Sequence, residues 1–364
     1  MTTTLATATV RLHPVAWWAW ALLLATTASR TVNPWILLLI IAVSGVVVML
    51  CRGNEPWSGA WRIFLIIGLI AISVRMMFYV IFGGADGNTV LVTLPSVTLP
   101  EWAQGFRLGG SITAEGLAAA SFDGLRLATL LVCIGAANSL ASPRRMLRSM
   151  PAALYEIAVA LVVALSVAPQ LVSSARRVNR ARALRGDVKR NPAHIMRTVV
   201  SPVLHEALDR SLALAAAMAS RGYGRSQDIS PATRRLNATF LLAGLFGLCI
   251  GAYGLLSAAT PPVLAWSLLI LGASIAVGGL IFASRRMPHT RYRPDPFGAR
   301  EWTVVSSGAA ALAGVSLAGY LDATAIWPIT NPLTMPTFPL LAALGVLAAL
   351  GPSLVAAQPK ESAP

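Results

Sequence analysis

The sequence predicts an all-α, polytopic membrane protein with about eight transmembrane helices and a basic helical insertion on the cytoplasmic side. Three observations carry this. Of 364 residues, 56% are hydrophobic and only 12% charged, about half the charge of an ordinary soluble domain. Apolar runs approaching the length that crosses a hydrocarbon core of about 30 Å recur along the chain. Basic residues crowd some of the connections between these runs and are scarce in others, the asymmetry by which membrane proteins mark their cytoplasmic side. A soluble enzyme, a secreted disulfide scaffold and a disordered chain are all excluded.

The expected spans, in order, are Val15–Ser29, Trp35–Leu50, Ile63–Phe82, Gly124–Leu140, Ala238–Leu256, Val263–Ala283, Thr303–Tyr320 and Phe338–Val355. The connection between Phe82 and Gly124 carries Asp86, Glu101, Glu115 and Asp123 but only Arg107, so it belongs outside. Arg52 and Arg62 flank one connection, and Arg285, Arg286, Arg291, Arg293 and Arg300 fill another. Both belong inside, which places both termini in the cytoplasm of a multi-pass protein of the cell (plasma) membrane.

One apolar run, Ala152–Val172, stands apart. Arg144, Arg145 and Arg148 precede it and Arg176, Arg177, Arg180 and Arg182 follow. Crossing the membrane there would put one cluster outside and invert every later loop. The run is therefore expected to be a helix lying at the cytoplasmic face. Ser173–Gly186 follows as a second helix, then a turn at Asn191-Pro192, then a third helix over Pro202–Gly222 with Leu208, Leu212, Ala215 and Ala219 on one face. The stretch from Ser139 to Arg235 holds 16 basic residues against five acidic ones, +11 of the formal net charge of +15. Loop orientation explains the rest of that charge better than nucleic-acid binding does. The chain thus divides into 1–142, four spans; 143–235, the cytoplasmic helices; 236–284, a membrane hairpin; and 285–364, a further hairpin and tail.

Chemistry is sparse. No Asp or Glu sits mid-span, where ion-driven transporters keep carboxylates. Cys51, Cys133 and Cys249 are isolated, the four histidines do not cluster, and no phosphate-cradling glycine loop occurs. No catalytic residue, metal site or cofactor is expected on this chain. Arg75 lies about 10 Å inside its helix end at 1.5 Å per residue, where pairing with Asp123 or Glu115 would satisfy it. Gly247 and Gly251 are spaced for close helix packing.

Two short elements carry most information. They are Ala181-Arg182-Ala183-Leu184-Arg185-Gly186 and Ala217-Met218-Ala219-Ser220-Arg221-Gly222. Each ends a helix on an arginine followed by a glycine that lets the chain leave sharply. The guanidinium is a planar, permanently charged fork suited to a groove lined by carboxylates and carbonyls. One such end would pass as an ordinary complement to the helix dipole; two, 36 residues apart on consecutive helices, are a pattern.

The paired Arg-Gly elements resemble those of the transmembrane T component (EcfT/CbiQ-like) of energy-coupling factor (ECF) transporters, a branch of ABC importers. The resemblance runs from about Leu12 to Phe282, through Ile112-Thr113-Ala114-Glu115-Gly116-Leu117, Gly124-Leu125-Arg126-Leu127, Ser142-Pro143, Leu147-Arg148-Ser149-Met150-Pro151 and Pro169-Gln170-Leu171. It implies a non-catalytic coupling subunit that passes ATP-driven movement of two ECF ATPase subunits to a substrate-binding S component, for uptake of a vitamin or a transition metal such as cobalt. ATP and Mg would be bound by the partner ATPases. By position, Arg185 and Arg221 would dock one ATPase each, with Leu184, Gly186 and Arg182 beside the first and Ser220 and Gly222 beside the second. Leu184 and Ser220 depart from the alanine usual in that family, and the last two spans look like an addition to it. The competing class is a secondary transporter with its own substrate site, disfavoured by the missing intramembrane carboxylates and by the lack of an inverted repeat.

Overall fold

The computed structural model describes residues 12–53, 59–83, 87–95, 97–98, 107–149, 155–186, 195–222, 231–257, 260–285 and 297–356. The turn at Asn191-Pro192, the arginines from Arg286 to Arg293 and the tail from Gln358 lie outside them. The chain forms two compact units, Met1–Met146 with Pro294–Pro364, and Leu147–Arg293.

In the first unit, α1 (Pro14–Ser29) and α2 (Pro34–Cys51) each begin on a proline, whose fixed φ and missing N–H suit a first helical position. The residue before each proline caps the helix: His13 Nδ1 accepts from the Val15 amide and Asn33 Oδ1 from the Trp35 amide. Helix α3 (Ala60–Phe82) leads to four short strands, β1 (Val90–Thr93), β2 (Val97–Thr98), β3 (Arg107–Leu108) and β4 (Ser111–Thr113). They pair antiparallel, β1 with β4 and β2 with β3. The long α4 (Ala114–Leu140) then packs against α3 on one side and α1 and α2 on the other. It begins ten residues before the expected Gly124. Thr113 Oγ1 caps it through the Gly116 amide, and Glu115 and Asp123, which depress the local hydropathy, are both satisfied by side-chain partners.

Beyond the short α5 (Pro143–Arg148), the unit is completed by α10 (Ala299–Leu321), α11 (Ala323–Ile326), α12 (Leu340–Ala348) and α13 (Gly351–Ala356). The last expected span is therefore two helices with a break at Ala349 and Leu350. These C-terminal helices share one core with α1 and α2, in which Trp20, Leu24, Ile36, Leu37, Val304, Val315 and Val346 are buried. Polar cross-links fasten both ends. Asn33 Nδ2 donates to the Ala325 and Thr337 carbonyls at 2.7 and 2.8 Å, and Trp20 Nε1 to that of Ala349 at 3.1 Å. Glu301 accepts from the His13 amide at 3.2 Å.

Of the two expected partners of Arg75, Asp123 and Glu115, it is Asp123 that the guanidinium meets, at 2.9 Å. Close to them, Gly124 lets α3 approach, since a methyl there would lie 3.0 Å from the Ile72 Cα.

The second unit contains α6 (Tyr155–Leu184), a single turn of π-helix (Met196–Val200) that runs into α7 (Ser201–Ser220), and the pair α8 (Pro231–Leu256) and α9 (Pro262–Arg285). Gly247 and Gly251 pack as their spacing predicts, because methyls there would fall 2.8 Å from the Gly272 Cα and 2.7 Å from the Leu269 nitrogen. Helix α6 corrects one expectation. The apolar run and the basic segment after it are not two helices but one of 30 residues, continuous through Pro169. Proline at this position gives up one backbone hydrogen bond, and the helix nonetheless continues to Leu184.

Among the described residues, seven helices are long and apolar enough to cross a membrane: Pro34–Cys51, Ala60–Phe82, Ala114–Leu140, Ile157–Leu184, Arg235–Leu256, Pro262–Phe282 and Ala299–Leu321. Residues Leu340–Val355 are apolar but shorter, as is α1 at 16 residues. The protein is an all-α, multi-pass membrane protein. Helix α6 is among the seven, as the length of its apolar run suggests; the arginines on both sides of that run, and not its length, are the ground for expecting a helix along the membrane face.

Candidate functional site

The two Arg-Gly elements sit at the C-termini of α6 and α7 and are built alike. At the end of α6 the Arg185 amide donates to the Arg182 carbonyl at 3.0 Å and the Gly186 amide to that of Ala183 at 3.1 Å. At the end of α7 the Arg221 amide donates to Met218 at 3.1 Å and the Gly222 amide to Ala219 at 3.0 Å. Gly186 and Gly222 have φ of 75° and 78°, the left-handed region that a side chain disfavours. Nothing lies within 4 Å of where a Cβ would stand on either, so the backbone conformation, and not crowding, calls for glycine.

Both arginines are exposed, as are Ser220, Gly186 and Gly222, and Leu184 is 89% exposed. Arg182 is half-buried and held by its own contacts. Among the described residues neither the Arg185 nor the Arg221 guanidinium has a side-chain hydrogen bond or ion pair. Ser220 Oγ turns back to the Ala217 carbonyl at 2.9 Å and so closes the last turn of α7.

The two elements do not converge. Helices α6 and α7 are joined by Arg177 to Glu206 at 2.9 Å and by Arg210 to Gln170 at 2.8 Å. The higher number on one helix meets the lower on the other, so the pair runs antiparallel across this contact. Arg185 lies eight residues beyond Arg177, about 12 Å, and Arg221 eleven beyond Arg210, about 16 Å, at 1.5 Å per residue. They leave the contact at opposite ends. An apolar cleft between the helices is lined by Leu171, Ala175, Val199, Val203, Leu204 and Ala207.

The joint itself was not foreseen from the sequence. Arg177 also donates to Ser174 at 2.9 Å, and Ser174 is buried. The Ser174 hydroxyl, and after it Arg177, hold the Glu206 carboxyl below the usual glutamate range. Glu206 stands 29 residues from Arg177, across a turn, and no local spacing announces such a pair. Among the described residues no three His, Cys, Asp or Glu side chains gather as metal ligands.

The family model CbiQ, described as cobalt transport protein, matches residues 6–231. The match takes in α1 to α7, both Arg-Gly elements and the joint between their helices, and ends at the first residue of α8. No curated protein matches the chain.

Proposed function

The chain belongs to the cobalt transport protein family, and from that premise we propose that it is the membrane coupling subunit of an ECF-type ABC importer. In this reading α6 and α7 are coupling helices on the cytoplasmic side of the cell membrane. Arg185 and Arg221 each anchor one of two ATPases, and their movement passes through the antiparallel pair to a membrane-embedded substrate-binding subunit. The cargo is a transition metal, cobalt first by the family's description, and a vitamin second. The chain itself carries out no chemistry.

The observation that supports this best is the pair of matched helix ends at opposite ends of one joint. Two ATPase subunits need two such contacts set apart, whereas a single ligand site would need the arginines together. A guanidinium projecting past a left-handed glycine, without a partner on its own chain, is free to enter a groove. It can make several charge-assisted hydrogen bonds there, each contributing about 1.5–3 kcal/mol. Movement at one end is transmitted because Arg177, Glu206 and Ser174 clamp the last third of α6 to the first third of α7.

The test is co-purification of the chain with its ATPases, together with transport-linked ATP hydrolysis. Arg185→Ala and Arg221→Ala should each weaken assembly by about tenfold or more, by roughly 1.4 kcal/mol per tenfold. The double variant should lose the complex, since two tethered contacts reinforce each other. Lysine at both positions should rescue poorly, because it keeps the charge and loses the fork. Arg197→Ala is the control. Arg145 is unsuited to that purpose, since it donates to the Leu12 carbonyl at 3.2 Å within the first unit. Normal assembly and hydrolysis by the double alanine variant would leave the arginines as ordinary helix caps.

A further inference from the structure

Helix α6 has two unlike faces. One packs on α7 and the π-helical turn through Leu171, Ser174 and Ala175. The opposite face is exposed from Leu161 to Arg180, whereas Ala158, on the same side one turn earlier, is buried. At 100° per residue, Leu161, Leu165, Val172, Arg176 and Arg180 fall within a single stripe about 100° wide on that face. The three apolar side chains are 43, 40 and 52% exposed, and both arginines are exposed. Arg176 and Arg180 line a shallow groove of about 540 Å³ with Ser173, Arg177, Ala181 and Leu184. Arg177 is committed to Glu206 and Ser174. Arg176 and Arg180 have no partner among the described residues.

The stripe therefore changes along its length from apolar to cationic. A helix lying flat on a membrane is divided lengthwise into an apolar and a polar face. A stripe divided across its length belongs to a helix inclined through the boundary between hydrocarbon and headgroups. The spacing fits a lipid: Leu165 to Arg176 is eleven residues, about 16 Å of rise, close to half of a hydrocarbon core of about 30 Å. A phospholipid laid along the stripe would have its chain on Leu161, Leu165 and Val172 and its phosphate between Arg176 and Arg180, which stand about 6 Å apart, one turn.

We propose that this face of α6 binds an anionic phospholipid, with the headgroup held by Arg176 and Arg180 and the acyl chain by Leu165 and Val172. An acidic protein surface would match the arginines but leave the apolar half of the stripe unexplained. Free phosphate would leave it unexplained too. The proposal needs only α6, so it is tested on the full chain without ATPases, and its outcome is separable from that of the docking reading.

The experiment offers the purified chain equal phosphatidylglycerol and phosphatidylcholine, exchanges it into detergent and counts retained lipid by native mass spectrometry. Wild type should retain phosphatidylglycerol preferentially. Arg176→Gln with Arg180→Gln should cut that preference by up to about thirtyfold, the effect of two such charges at an anionic surface. The charge-matched Arg197→Gln with Arg235→Gln should keep it, since both are exposed and neither belongs to the joint, and Leu165→Ser with Val172→Ser should lower retention of both lipids. Three results would overturn the proposal. The first is a wild-type preference in the Arg176/Arg180 variant. The second is an equal loss in the charge-matched variant, which would mean unspecific attraction. The third is displacement of the lipid by inorganic phosphate with no effect of the serine substitutions, which would make the groove a phosphate site.

Discussion

Set side by side, the first unit and the α6–α7 pair of the second solve the same problem in opposite ways. In the first unit α2 buries eight of its 18 residues, and its N-terminal end is tied by Asn33 and Trp35 to carbonyls of Ala325, Thr337 and Pro336. In α7 not one residue is buried, and Leu208 and Leu212 stand 54 and 68% exposed. Helices that keep their own contacts are a frame. Helices that leave arginines and leucines bare have their contacts completed by something else. Large apolar side chains are exposed on α3, α8 and α9 too, so what sets this segment apart is that α7 buries none of its residues while both Arg-Gly ends stand bare.

The comparison can be broken most severely by removing residues 297–364. If α10 to α13 are half of the frame, the truncated chain should lose its cooperative melt in detergent and run as aggregate on size exclusion. A monodisperse, cooperatively melting truncation would make them an accessory. A smaller effect is expected from Asn33→Ala, which removes a helix cap and two cross-chain hydrogen bonds. At about 1 kcal/mol for the cap and 0.5–1.5 for each bond, the loss is roughly 2–4 kcal/mol. Scanning fluorimetry should show it, while Leu212→Ala in α7 should stay within about 0.5 kcal/mol of wild type.

The smallest effect concerns the joint. The Glu206 carboxyl titrates below its unfolded value, so its contribution is present above that unfolded value and lost as pH falls through the folded one. Acidification below the usual glutamate range should loosen α6 from α7, read as faster amide exchange near Ser174 and Glu206, and Glu206→Gln should remove the pH dependence. The same exchange rate across that range in wild type would show that Glu206 does not clamp the pair.

Much of this was legible in the residues. Six of the eight expected spans have single helices within a few residues of them, because an unbroken apolar run leaves little choice of where a helix lies. Both Arg-Gly ends were legible for a local reason: a glycine after the last turn is demanded by backbone geometry alone. Local signals also explain the misses. Glu115 and Asp123 made α4 look ten residues shorter than it is, since hydropathy registers a charge but not the threonine or arginine that satisfies it. Pro169 and the arginines after Val172 made α6 look like two helices, although a proline removes only one bond of the ladder and the helix runs on past it. The joint from Arg177 to Glu206 and the core shared by α1, α2 and α10 depend on which helices meet. That information has no period and no neighbour in the chain.

That shared core also sets a timetable. Helix α2 ends at Cys51 and α10 begins at Ala299, so its halves leave the ribosome about 250 residues apart. At roughly 5–20 residues per second, α1 and α2 wait roughly 12–50 s for their packing partners. During that interval the whole α6–α9 region is made and must enter or reach the membrane. Asn33, buried in the finished protein, must find interim partners in the insertion machinery, in water at the membrane edge or in α4. The α1–α2 hairpin is thus made long before it is finished. A ribosome that stalls anywhere between the two halves releases a chain whose frame is open, a natural substrate for membrane quality control.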